Sequence, residues 1–212
     1  MANFGRTQIY WIIAGLMLCI AGFWGVWLAH PVAALQLSGY ELGDWVTLLP
    51  GVQLGQLPFQ KWHFRLPWIL VLWQTWGYAR PLQLNRWARL AGALVLLGSL
   101  LLLPDPASEP LGNPLPRQQL LIWAATLGGL AVLSALEWLG QNRMRSLLLL
   151  GLASATLAIN WWLLTQVLPA ATPLYGKTPS VGWGWVAMQG GALLLLVAAL
   201  LQRLAERMTQ KK

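Results

Sequence analysis

"IYWIIAGLMLCIAGFWGVWL", residues 9–28, runs for twenty positions without a charged residue or a proline. A helix rises about 1.5 Å per residue, so twenty residues make about 30 Å, the thickness of a bilayer's hydrocarbon core. Backbone groups in lipid must be satisfied within the segment or in a closed barrel, and this run lacks the alternation of a barrel strand. It therefore reads as a transmembrane helix. A cleaved leader is the rival reading, because "VAA" at 32–34 would suit cleavage after Ala34. The apolar core is longer than the about 7–15 residues of a signal peptide, and only Arg6 precedes it, so retention as a span is expected. The chain carries no lipidation motif.

Composition points the same way. Only 9% of the 212 residues are charged, against about 25% in soluble domains, so the surface cannot be covered with polar groups and lipid must form part of the solvent. The net charge of +8 is spread singly between apolar runs rather than gathered on one face, which argues against a nucleic-acid partner. The lone cysteine, Cys19, lies inside the first apolar run and reads as a packing residue.

Five further apolar runs follow, near residues 58–79, 88–103, 119–139, 146–168 and 181–201. The second is short if it starts only at Pro67. Six crossings place both termini and the second and fourth loops on one side, together with Arg6, Arg80, Arg86, Arg89, Arg143, Arg145, Arg203, Arg207, Lys211 and Lys212. Only Lys61, Arg65, Arg117 and Lys177 fall on the other, so the positive-inside rule makes the ten-cation side cytoplasmic. The expected fold is all-α, a single-domain polytopic bundle of about six spans over 1–212 with both termini inside, expected in a bacterial cytoplasmic membrane. Tryptophan usage agrees: Trp24, Trp27, Trp62, Trp68, Trp123, Trp161, Trp162, Trp183 and Trp185 are expected at the outer interface, and Trp11, Trp87 and Trp138 at the inner one. Residues 104–116, "PDPASEPLGNPLP", with five prolines, read as an extended outer loop.

The first outer loop, 30–66, is the most polar part of this frame. "SGYE" at 38–41 matches a capping box, with Ser38 and Glu41 exchanging bonds with each other's backbone N–H. A short interfacial helix is expected from Gly39 to Leu49, stopped by Pro50-Gly51. Asp44 sits on the side of Glu41, with Lys61 and Arg65 the nearest bases in sequence. If a helix begins at Pro58, those two bases share a face and Pro67 kinks the helix. If "FQKWHFR" is extended, Lys61, His63 and Arg65 line one side. Asp44, Lys61, Trp62 and Arg65 are thus the expected contacts to headgroups or a partner.

Chemistry is sparse. His30 and His63 are the only histidines and the weak candidates for a cofactor such as haem. Zinc would need three or four ligands in a cluster, so no metal and no cofactor are expected. Asn160 and Gln189 are the polar residues expected deepest in the membrane, where a substrate path would use them. No ionisable residue falls at mid-span, which disfavours ion-coupled transport; Glu137, near a span end, is expected to pair with Arg143 or Arg145, or to face water. Gly22, Gly25, Gly128, Gly129, Gly151, Gly190 and Gly191 suit close helix packing. No Walker A, HExxH, GxSxG or Rossmann motif is present. The leading expectation is a non-catalytic membrane subunit or accessory protein contacting lipid and other membrane subunits. A small transporter or permease component for a neutral or lipid-like substrate comes second. A membrane-embedded enzyme, needing His63, Asp44 and Glu41 to converge, comes third.

Overall fold

The computed structural model describes residues 6–30, 35–57, 60–79, 87, 89, 90, 92, 94 and 115–210. The apolar run at 88–103 and the proline-rich stretch at 104–116 lie mainly outside the described residues. Seven α-helices and three short strands are described: α1 Arg6–Trp24, β1 Val26–His30, β2 Leu35–Ser38, α2 Gly39–Trp45, α3 Pro50–Gln53, α4 Leu66–Tyr78, α5 Leu115–Trp138, α6 Asn142–Tyr175, β3 Ser180–Val181 and α7 Trp183–Gln210. Single 3₁₀ turns at Val46–Leu48 and Lys61–Arg65 complete the set. Three helical stretches, Thr7–Trp24, Asn142–Tyr175 and Trp183–Met208, are long and apolar enough to cross a bilayer, which makes this a membrane protein.

The tightest packing joins α1 to α7. Gly15 and Gly22 lie seven residues apart on α1, and Gly184 and Gly191 seven apart on α7, so each pair occupies one helix face. A Cβ on Gly191 would stand 2.6 Å from the Gly15 carbonyl oxygen, and one on Gly22 2.5 Å from the Met188 nitrogen. Backbone therefore packs on backbone. The seam is filled by Ile12, Leu16, Cys19 and Phe23 against Met188, Ala192, Leu195 and Ala198, all buried. Since Gly15 meets Gly191 and Gly22 meets Gly184, the two helices are antiparallel, and the first and last described residues lie at the same end of the pair. Of the other glycines with packing spacing, Gly129 sits under the Trp73 ring, but Gly128, Gly151 and Gly190 face open space. Spacing names glycines that can pack; it does not say which side of the helix is covered.

Helix α4 is apolar nearly all round and is buried by α1, α5 and α6, as such a helix must be. At 13 residues it covers about 20 Å, short of a full crossing. It runs antiparallel to α6, with Gln74 bonded to Thr156 and Gly77 under Leu149. Against α5 it runs parallel: the Trp73 indole donates to the Thr126 carbonyl at 3.0 Å and the Trp76 indole to the Ser134 hydroxyl at 2.9 Å. Helix α6 is antiparallel to α7, tied by Trp185 to the Asn160 carbonyl at one end and by Arg203 to the Arg143 carbonyl at the other.

Several boundaries differ from the sequence expectation, and α7 continues past 201 to Gln210. The first helix stops at Trp24, and Val26–His30 is the central strand of an antiparallel sheet ordered β2-β1-β3. Leu28 pairs with Val181 and Ala29 with both Gln36 and Ser180. The fifth helix does not end at 168 but continues to Tyr175, where Gly176 at φ 67° closes it. Pro67 falls in the first turn of α4, where a missing N–H costs nothing, and so opens the helix instead of kinking one.

Two tryptophans assigned to the interface belt are core residues: Trp27 is 1% exposed, its indole donating to the Gly22 carbonyl, and Trp68 is 4% exposed, stacked on Phe23. Trp24, Trp161 and Trp183 at one end, and Trp87 and Trp138, are exposed. Glu137 pairs with Arg89 at 3.1 Å, so it joins the end of α5 to the segment after α4.

Candidate functional site

The sheet, α2, α3 and the two 3₁₀ turns form a platform over one end of the bundle. Its anchor is the expected cap. The Ser38 hydroxyl accepts from Glu41 N–H at 3.2 Å, and a Glu41 carboxylate oxygen accepts from Ser38 N–H at 2.9 Å. Helix α2 ends at Trp45 and passes into the 3₁₀ turn, with Leu49 already extended before Pro50, so the continuous helix to Leu49 is not formed.

Asp44 collects both expected bases. Lys61 forms an ion pair with one carboxylate oxygen, and Arg65 Nη2 lies 3.7 Å from the other. Arg65 is 2% exposed: its Nη1 donates to the Tyr40 carbonyl at 2.7 Å, and its guanidinium carbon stands 3.7 Å above the Tyr40 ring. Burial lowers the Arg65 pKa while Tyr40 and Asp44 raise it, and a guanidinium so placed keeps its charge. Burial raises the Tyr40 pKa, opposed by Arg65. Tyr40 in turn stacks on Trp24, and Trp24 meets Trp68 edge to face. The buried cation is thus clamped between a carboxylate and an aromatic ladder rising from α1 and α4.

The histidines do not face one another. His63 Nδ1 accepts from Gln60 N–H at 2.9 Å, and its ring lies against Trp62 and Trp162. Burial lowers its pKa. His30 is 3% exposed and packs on Tyr175, whose hydroxyl accepts from the Trp45 indole at 3.1 Å. Trp162 and Tyr175 are thirteen residues apart on α6, about 20 Å along the helix, so a single haem clamped by both histidines does not fit. Among the described residues no cluster of three or more metal-ligating side chains occurs. Glu41 is bonded within its cap, Asp44 to two cations and His63 Nδ1 to the Gln60 N–H. Trp62 is a platform residue, its indole bonded to the Gln60 side chain.

Below the platform, Asn160 and Gln189 part ways. Asn160 is fully buried. Its carbonyl takes the Trp185 indole at 3.1 Å, which sets it level with the third residue of α7, toward the platform end and not at the bundle's centre. Neither side-chain atom of Asn160 has a partner among the described residues, nor does Gln74 Oε1 or Gln189 Oε1. Each such group left dry costs about 1–3 kcal/mol. Gln189 lines a separate feature, an almost wholly apolar lateral groove between α6 and α7 of about 930 Å³. Trp161, Trp162 and Trp185 wall it, and the small residues Ser154, Ala158 and Gly190 also line it. Spacing did not reveal this groove, because its residues come from two helices joined only through tertiary packing.

Set against known proteins, the chain matches no family model, no curated protein and no solved structure. Fold and site define a helical membrane protein with an ion-paired aromatic platform and a lateral apolar groove.

Proposed function

We propose that the chain is a non-catalytic integral subunit of a larger membrane assembly and that the α6–α7 groove receives an apolar helix of a partner subunit. The groove is the observation that carries this reading. Gly190 within it and Gly151 one turn before Ser154 meet nothing within 4 Å at their Cβ positions, although glycine inside a helix costs about 1 kcal/mol relative to alanine. An incoming helix that packs on small residues accounts for both glycines. Rigid indoles on the walls supply contact area at little entropic cost, and the commitment of Glu41, Asp44 and His63 to local bonds agrees with a structural role. A transporter handling a neutral or lipid-like substrate is the second reading, favoured by the groove's apolar, lateral opening.

The same proposal places the chain in a bacterial cytoplasmic membrane with six crossings, the platform outside and both termini inside. The ten-to-four division of Lys and Arg supports it. So does the parallel run of α4 and α5, which puts the end of α4 and the start of α5 at opposite ends of the bundle.

The test is purification in mild detergent with a photo-crosslinking residue at Leu193, which lines the groove. The expected result is one stoichiometric partner, cross-linked through an apolar segment and lost in Gly190→Leu while the bundle stays folded. Recovery of a lone monodisperse chain that cross-links only to lipid would overturn the proposal and favour the second reading.

A further inference from the structure

We infer that the buried polar side chains Gln74 on α4 and Asn160 on α6, with the half-buried Gln189 on α7, hold bound water inside the bundle. Gln74 and Asn160 are each 0% exposed, as is Thr156 between them. The Gln74 amide spends both hydrogens, on the Leu70 carbonyl at 3.1 Å and the Thr156 hydroxyl at 3.0 Å, and the Thr156 hydroxyl passes its own to the Leu152 carbonyl at 2.8 Å. Gln74 Oε1 is left over. Asn160 lies one turn from Thr156, about 6 Å along α6, and both its amide atoms are unpartnered among the described residues. Gln189 gives Nε2 to the Leu157 carbonyl at 3.4 Å and leaves Oε1 over.

Reversing an amide does not repair this arrangement. Turning Asn160 over exchanges two unpartnered atoms, and turning Gln74 over sets its oxygen against the Leu70 carbonyl oxygen. Left without a partner among the described residues are three acceptor oxygens and one amino group. Water carries two donors and two acceptors, and buried waters make about three hydrogen bonds each, so three acceptor oxygens call for at least two molecules. A larger occupant has no access to the Gln74 and Asn160 side chains, which are sealed from the surface. No carboxylate takes part, so the site suits a neutral guest. Its position, level with Trp185 and below the 3₁₀ turn that carries Arg65, makes it a hydrated joint between α4, α6 and α7.

Amide-selective ¹⁵N labelling of the whole chain in deuterated detergent tests the inference, with Asn160→Leu used to assign the resonance. The Asn160 side-chain NH₂ is expected to show direct cross-relaxation to water, of the sign that separates dipolar contact from hydrogen exchange. The Trp185 indole N–H, bonded to protein backbone, serves as the internal reference. Gln74→Leu is expected to weaken the Asn160 signal at least twofold without shifting the Trp185 resonance. Absence of water cross-relaxation at Asn160, or its equality with the Trp185 reference, would overturn the inference. So would a direct Asn160–Gln189 amide bond seen in the coupling pattern. Should Asn160→Leu fail to fold, selective unlabelling of the wild-type chain provides the assignment and the same two outcomes decide.

Discussion

Asp44 is the residue on which the platform's electrostatics turn. It is 45% exposed and serves two cations of unequal need. Lys61 keeps access to water, and an exposed pair of this kind contributes about 0–1 kcal/mol. Arg65, sealed beneath α2, has no such recourse. Asp44→Asn is therefore expected to destabilise the platform by about 1–3 kcal/mol, less than the about 3–5 of a fully buried pair because water reaches Asp44 itself. Lys61→Ala is expected to cost less than about 1 kcal/mol. Protease cleavage rates in the 46–57 segment of detergent-solubilised protein compare the two; equal sensitivity would mean that Arg65 does not depend on Asp44. At this scale much was legible. Ser38 and Glu41 announced their cap because the capping box is local. The partners of Asp44 are legible too, since the acid and both of its nearest bases lie within one loop. That Arg65 is the buried member, with Tyr40 over its guanidinium, depends on how α2 closes on the second 3₁₀ turn, which no spacing encodes.

Among the elements, the α1–α7 seam sets the geometry of everything packed on it. A Cβ at Gly184 would collide with the backbone of Gly25, which cannot yield as a flexible side chain would. Gly184→Ala is expected to separate the helices and cost about 1–3 kcal/mol or more, as overpacking does. Gly128→Ala, at a helical position where the added methyl meets open space, is expected to be neutral or to stabilise by up to about 1 kcal/mol. Steric-trapping or thermal unfolding in detergent ranks the pair, and the reverse order would dismiss the seam as the dominant contact. The strands are where sequence reading failed. "VWLAH" continues the apolar run of α1 without polar alternation, so nothing in its period marks a strand. Its partner β3 lies about 150 residues away, and Gly182, whose N–H bonds the Trp27 carbonyl at 2.8 Å, completes the join. Such pairing is written in tertiary contact and leaves only Gly25 as a local sign of the break.

On the scale of the whole molecule, the native cysteine offers a direct test of how the chain is threaded. Cys19 is 0% exposed, packed against Gly191 with its thiol directed at the Met188 carbonyl, so a maleimide has no route to it in the folded protein. New cysteines can be added one at a time without removing it. Lys177 follows the end of α6 beside the platform, and Gln141 precedes its start some 50 Å of helix away; both are exposed. The arrangement of α1, α6 and α7 fixes these two positions at opposite ends of the bundle. The proposed orientation adds which end faces out. Lys177→Cys is expected to react with a membrane-impermeant maleimide in intact cells. Gln141→Cys is expected to react only after permeabilisation, together with a cysteine placed at Arg207. Labelling of Gln141→Cys but not Lys177→Cys in intact cells would invert the molecule and bring the arginine-rich end outside, against the charge rule. Labelling of both would deny that α6 crosses the membrane and would leave the platform without a side to face.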